Sequence, residues 1–154
     1  MAMLDRRTYR RAFEPGCANG TFTAELAARC RNVVSLDGSV NAVSLAKQAT
    51  NQFGNVDLRN GAVPDYWPSG KFDLVVLSDF LYYLGGSDIA TVAEKSLASV
   101  TKPGTILAGH WKGSAHDFLT PGGLAVHAIL HEVLGPPSGG TYEDSDQIIS
   151  VWTQ

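Results

Sequence analysis

The chain has 154 residues, 44% of them hydrophobic and 18% charged, with a formal net charge of −3. That length supports one domain with a substantial core, and the acidic balance excludes an overall basic footprint for nucleic acid. No apolar run approaches the roughly 20 residues of a membrane span, and no signal-length apolar segment follows the basic Arg6, Arg7, Arg10 and Arg11, so a cytoplasmic protein is expected.

In chain order, a first strand ends at Ala12 and Phe13, then passes through Glu14 into a turn with Gly16 and Gly20. Thr21–Cys30 carries Phe22, Leu26 and Cys30 at helical spacing. Asn32–Leu36 is a short apolar strand ending at Asp37. Ser39 is an N-cap for a helix marked by Ala42, Leu45, Ala46 and Ala49. Val56–Arg59 is a weaker strand, and Gly61–Gly70 a loop with two prolines and the aromatics Tyr66 and Trp67. Leu74–Leu77 is a continuous apolar run, as in a strand buried on both faces. Ile89, Val92, Ala93, Ser96, Leu97 and Val100 mark a helix; Pro103-Gly104 reads as a sharp turn into a strand over Thr105–His110. A helix over Gly123–Leu134 and strands at Gly139–Glu143 and Gln147–Trp152 close the chain.

Alternating strands and helices predict an α/β fold: a Rossmann-like, doubly wound, mostly parallel sheet of six to seven strands with an antiparallel C-terminal strand. In such sheets ligands bind beyond the C-terminal strand ends, beside the first strand. Those ends hold Glu14–Gly20, Asp37, Asn60–Val63, Ser78–Tyr83 and His110–Trp111. A glycine turn with an acid about 20 residues on is the arrangement that holds an adenosine cofactor and its ribose. A dinucleotide site needs G-x-G-x-x-G for its pyrophosphate; here Gly16 and Gly20 are spaced otherwise and no third glycine follows. The turn therefore suits S-adenosylmethionine (SAM) better than NAD.

The residues RAFEPGCANG, TAELAARC, VVSLDGS, GAVPDYWPSGKFDLVVLSDFLYYL, KPGTILAGHW, AVHAIL and ISVW are similar to those of class I SAM-dependent methyltransferases, and within them the nodulation protein S family. The resemblance covers the chain from Arg10 onward and implies SAM binding and methyl transfer to a small-molecule acceptor, with an amine or amino sugar nitrogen as the target. It implies that Glu14, Gly16, Ala18 and Gly20 hold the methionine part. By the same resemblance Asp37, Gly38 and Ser39 follow the ribose and nucleoside, Ala62 and Val63 flank adenine, and Ser78 faces the sulfonium. Asp79 and His110 become the candidate catalytic residues, one of them holding or deprotonating the acceptor. Two departures are visible. About ten residues precede the first strand, where relatives carry a longer segment covering the cofactor, and the segment before AVHAIL lacks a Gly-Asp pair.

Tyr82, Tyr83 and Trp111 could pack on the sulfonium, a sugar or the core. Tyr66 and Trp67 could edge the adenine pocket or anchor their loop. His127 and His131 lie one helical turn apart, but without a clear third ligand no metal is assigned; His127 is expected on the acceptor side. The alternative function is a SAM-binding module with little catalysis unless a partner supplies the covering segment, and an uncovered N-terminal side would leave a surface for self-association. No nucleic-acid or membrane partner is expected.

Overall fold

The computed structural model describes residues 3–4 and 6–154. Its elements are β1 (Tyr9–Pro15), α1 (Thr21–Ala27), β2 (Cys30–Asp37), α2 (Val40–Ala49), β3 (Val56–Asn60), β4 (Phe72–Ser78), a 3-10 turn (Leu81–Tyr83), α3 (Gly86–Ser99), β5 (Val100–Trp111), α4 (Gly122–Leu134), β6 (Gly140–Glu143) and β7 (Gln147–Thr153). The seven strands form one sheet in the order β3-β2-β1-β4-β5-β7-β6. The first five run parallel. β7 is antiparallel to both β5 and β6. The doubly wound α/β expectation holds, and the strand order reverses between β1 and β4, where such sheets open a crevice.

Side-chain alternation divides the core. Phe13, Val75, Leu77, Ile106 and Ala108 face α3 and α4, meeting Ile89, Val92, Val126 and Leu130. Ala12, Leu74, Val76 and Leu107 face the other side, against Leu26 and Ala27 of α1 and against Leu4, with Met3 packed alongside. Only strands covered on both faces can be apolar throughout, which is why β4 is buried from Phe72 to Leu77.

Ser39 caps α2 as expected, its hydroxyl accepting the Ala42 N–H at 3.3 Å. Most boundaries shift by a residue or two, Val100 opens β5 and does not end the helix before it, and two differences have a clear cause. α1 stops at Ala27, and Cys30 already opens β2, because the Arg29 carbonyl is turned to accept the Tyr9 N–H at 2.9 Å. Pro103-Gly104 is not a turn ahead of a strand but lies inside β5. The β4–β5 pairing passes from Phe72–Val100 to Leu74–Thr105, so the extra residues bulge out at the one place where proline's missing N–H costs no ladder bond.

Candidate functional site

The turn after β1 is built on left-handed backbone: φ is +83° at Gly16, +46° at Ala18 and +82° at Gly20. The Gly16 and Cys17 N–H groups both donate to the Leu36 carbonyl, at 2.7 and 3.0 Å, tying the turn to the end of β2. Asp37 completes the clamp. Its Oδ2 accepts the Ala18 N–H at 3.0 Å and its Oδ1 the Ser39 N–H at 2.9 Å. An ionised carboxylate offers about four lone-pair sites, so both oxygens keep capacity for a pair of ribose hydroxyls.

Glu14 lies beneath the turn, 2% exposed. Its Oε2 accepts the Thr23 hydroxyl at 2.6 Å and the Ser35 hydroxyl at 2.7 Å. Burial pushes its pKa up to about 7; the hydroxyl bonds from Ser35 and Thr23 oppose the rise and the Asp37 charge adds to it.

A cavity of about 570 Å³ opens over these groups, between the ends of β1, β2 and β4, a size typical of small-molecule sites. Glu14, Gly16, Ala18, Asp37, Gly38, Ala62, Val63 and Ser78 all line it. Gly20 and Ser39 do not. Gly20 serves packing instead: a Cβ there would stand 2.5 Å from the Ala46 Cα of α2. The wall also includes Cys17, Phe22 and Phe80, to which the sequence reading gave no role, and Tyr83, one of the aromatics it offered to the sulfonium, a sugar or the core. Phe80 comes so close beneath Gly16 that a Cβ would meet its ring at 3.0 Å. With a carboxylate at the ribose end, apolar Leu36, Ala62 and Val63 at the base end, and Glu14 beside the turn, the donor set fits SAM.

Asp79 follows β4 with φ +52°, a conformation that aspartate tolerates better than most residues. Its N–H donates to the Gly109 carbonyl at 2.9 Å. Its Oδ1 accepts the Trp111 N–H at 2.9 Å and the Tyr82 hydroxyl at 3.2 Å. Burial, then the Asp79 charge, pushes the Tyr82 phenol up, so it remains a donor. Oδ2 has no partner among the described residues. Asp79, Ser78 and Phe22 also line a second cavity of about 330 Å³, on the other side, with Met3, Leu107, Gly109, Ile149, Tyr142 and Gln147. The pairing of Trp111 with Gln147 brings that last side of the wall to the end of β5; no local motif in the sequence marks it.

The structure does not bring His110 to either cavity. Its ring is 1% exposed, shares the α4-facing side of β5 with Ile106 and Ala108, and meets His127 at 3.2 Å between Nδ1 and Nε2. His127, also 1% exposed, points into this interior and lines neither cavity; its Nδ1 meets the Ser150 hydroxyl at 2.9 Å. Among the described residues no group of three His, Cys, Asp or Glu is placed to hold a metal. Tyr82 is core, stacked on Phe118 with ring centroids 3.9 Å apart, whereas Tyr83 is 46% exposed at the cavity. Trp111 is 45% exposed beyond it. Trp67 anchors its loop edge-on to Phe13, and Tyr66 accepts a bond from Arg59; neither lines the cavity.

A sequence profile for a family described as "Methyltransferase domain" matches residues 13–109, most of the chain and both halves of this crevice. The chain belongs to the methyltransferase domain family. The family's cofactor is SAM, in keeping with the turn and its acid. A crystal structure of a candidate methyltransferase from Pseudomonas syringae is 37% identical, superposes with a TM-score of 0.87, and is matched over 99% of this chain and 92% of that one. Nodulation protein S of Rhizobium tropici is 32% identical over 130 residues, 80% of this chain but 53% of that protein. The chain thus spans about half the length of the curated relatives it matches. The N-methyltransferase NodS of Bradyrhizobium japonicum WM9, solved with S-adenosyl-L-homocysteine, shares the fold at a TM-score of 0.78 and 21% identity, over 96% of this chain and 79% of that one. Among the described residues, no helix of this methyltransferase domain is long and apolar enough to cross a membrane.

Proposed function

We propose that the chain transfers a methyl group from SAM to the nitrogen of a small amine docked beside Asp79. The observation that carries this reading is the wall shared by the two cavities: Ser78 and Asp79 line both, so a donor in one and an acceptor in the other would meet across them. When bound, SAM supplies a methyl carbon activated by positive sulfur. The protein's task is then to position the acceptor in line, which can be worth several kcal/mol, and to present it as a neutral amine. With SAM bound, the nitrogen lone pair would form the N–C bond as the C–S bond breaks, its electrons staying on sulfur. The departing proton passes to the carboxylate of Asp79, which lines both cavities.

The second cavity's apolar Met3, Leu107 and Ile149, with polar Tyr142 and Gln147, suit an acceptor with an apolar body, of a single sugar ring or smaller. His110 holds β5 against α4 in this reading and touches no substrate. The test is transfer of a radiolabelled methyl group from SAM across a panel of alkyl amines, aryl amines, amino sugars and matched alcohols. Labelled amines are expected. Label in alcohols alone would reassign the acceptor atom. Tight S-adenosylhomocysteine binding with no transfer to any acceptor would favour a binding module without catalysis.

A further inference from the structure

A third cavity, of about 430 Å³, lies at the opposite end of the sheet from the cofactor cavity, where β1, β4 and β5 begin. Its wall carries Arg6, Arg10, Arg11, Lys71 and Lys102, with Asp73 as the one carboxylate among the described residues. This concentration of cations sits in a chain whose net charge is −3. Asp73 offsets one of these five positive charges, and its oxygens are held by backbone N–H groups. The Arg10 N–H donates to both of them, at 3.1 and 2.8 Å, and the Arg11 N–H to Oδ1 at 2.7 Å.

Two of the cations are fixed before any ligand arrives. Arg11 donates through Nη1 to the Ser69 and Lys71 carbonyls, at 3.1 and 3.2 Å, and lies 4.4 Å over the Phe72 ring. The Lys71 ammonium is tied to the Ala98 carbonyl. Arg10 and Lys102 are exposed, and among the described residues their side chains have no hydrogen-bond or ion-pair partner. Pinned and free cations around one concavity raise each other's energy until an anion is shared among them, and pinning lowers the ordering cost of binding.

We propose that this cleft is a binding site for a small polyanion carrying a diphosphate group, unconnected to the methyl-transfer site and independent of its assignment. A diphosphate's several charges match the positive excess better than a single-charged anion does, and charge-assisted bonds to guanidinium are the strong ones. The gathering of five of the chain's twelve Lys and Arg around one cavity, in a chain of net negative charge, favours a compact anion over a long nucleic-acid backbone.

The experiment is calorimetric titration of the full chain with inorganic pyrophosphate at constant ionic strength, with sulfate as control. Nucleoside diphosphate in a parallel arm separates a free diphosphate from one carried on a nucleotide. One-to-one binding is expected for pyrophosphate, weakened about tenfold or more by Arg10→Glu or Lys102→Glu. S-Adenosylhomocysteine binding should be unchanged in both variants, which shows that they fold, and Arg10→Lys should retain most of the affinity. Pyrophosphate binding no stronger than sulfate, or equal in the charge-reversed variants, would overturn the proposal. So would a duplex oligonucleotide or anionic vesicles competing more strongly than either diphosphate with the same dependence on Arg10 and Lys102.

Discussion

Asp37 holds the Ala18 and Ser39 N–H groups, so in the proposed site it would shape the turn as well as meet the ribose. Asp37→Ala should weaken SAM or S-adenosylhomocysteine binding by about 1.5–3 kcal/mol, the scale of hydrogen bonds to a charged group. Titration calorimetry reads it directly, and unchanged affinity would remove Asp37 from the site. Asp79→Asn keeps an oxygen for the Trp111 N–H but cannot take a proton; turnover should fall about 10²-fold while S-adenosylhomocysteine affinity changes little. Equal loss of both would place Asp79 on the cofactor instead. Glu14 gives a pH prediction. Its folded pKa is raised, to about 7 from 4.5, so between those values the folded chain keeps a proton that the unfolded chain has released. Its contribution to stability therefore falls as pH rises through that window. A cationic amine at the methionine end would favour the ionised form, so S-adenosylhomocysteine binding should strengthen with pH across the same window and release a proton. In Glu14→Gln both the release and the dependence should disappear, as calorimetry in buffers of different ionisation enthalpy would show.

The packing of α4 on β5 and β7 carries the opposite pH dependence. Burial first, and then His127, lowers the His110 pKa well below 6.5. His127 is lowered to about 4 by burial first, then by His131, with Glu143 opposing. Below pH 6.5 the unfolded chain takes up protons that these folded imidazoles cannot, so their stabilisation is present above 6.5 and lost as pH falls toward 4. Scanning calorimetry should show the thermal midpoint dropping through that range, and the drop should be shallower in His127→Gln; an equal slope would take the pair out of the account. Most elements here were legible. The Ser39 cap, the continuous apolar β4 and the helical spacing of α3 each speak through local chemistry. What was not legible depended on pairing. The bulge at Pro103-Gly104 appears only in the register against β4. The side on which His110 lands follows from its parity with Ile106 and Ala108, a two-residue periodicity that locates a face but not what covers it.

Across the whole molecule, burial is graded along the sheet. β4 is interior from Phe72 to Leu77, and every residue of the edge strand β6 is exposed. Amide exchange in β1 and β4 should require global opening, whereas β6 should exchange by local fraying. S-Adenosylhomocysteine should protect the amides of Ala18 and Ser39 beyond this gradient; uniform protection would argue against the clamp. Part of the first cavity's lining was readable because a turn and its acid lie close in sequence. The second cavity draws on both ends of the chain, from Met3 to Ile149, and sequence distance concealed it.

The two cysteines turn this gradient into something a reagent can follow. Cys17 sits in the cofactor turn, against Val43 and Ala46, and Cys30 in the cluster behind β1. Burial pushes both thiols up to about 12, so an alkylating agent at neutral pH finds almost no thiolate until the fold opens. The chain thus has two built-in clocks at different depths. If the turn opens on its own, Cys17 should be modified first and saturating S-adenosylhomocysteine should slow it without slowing Cys30. If both are modified at one rate, and the ligand slows both alike, the cofactor turn and the sheet beneath it unfold as one cooperative unit.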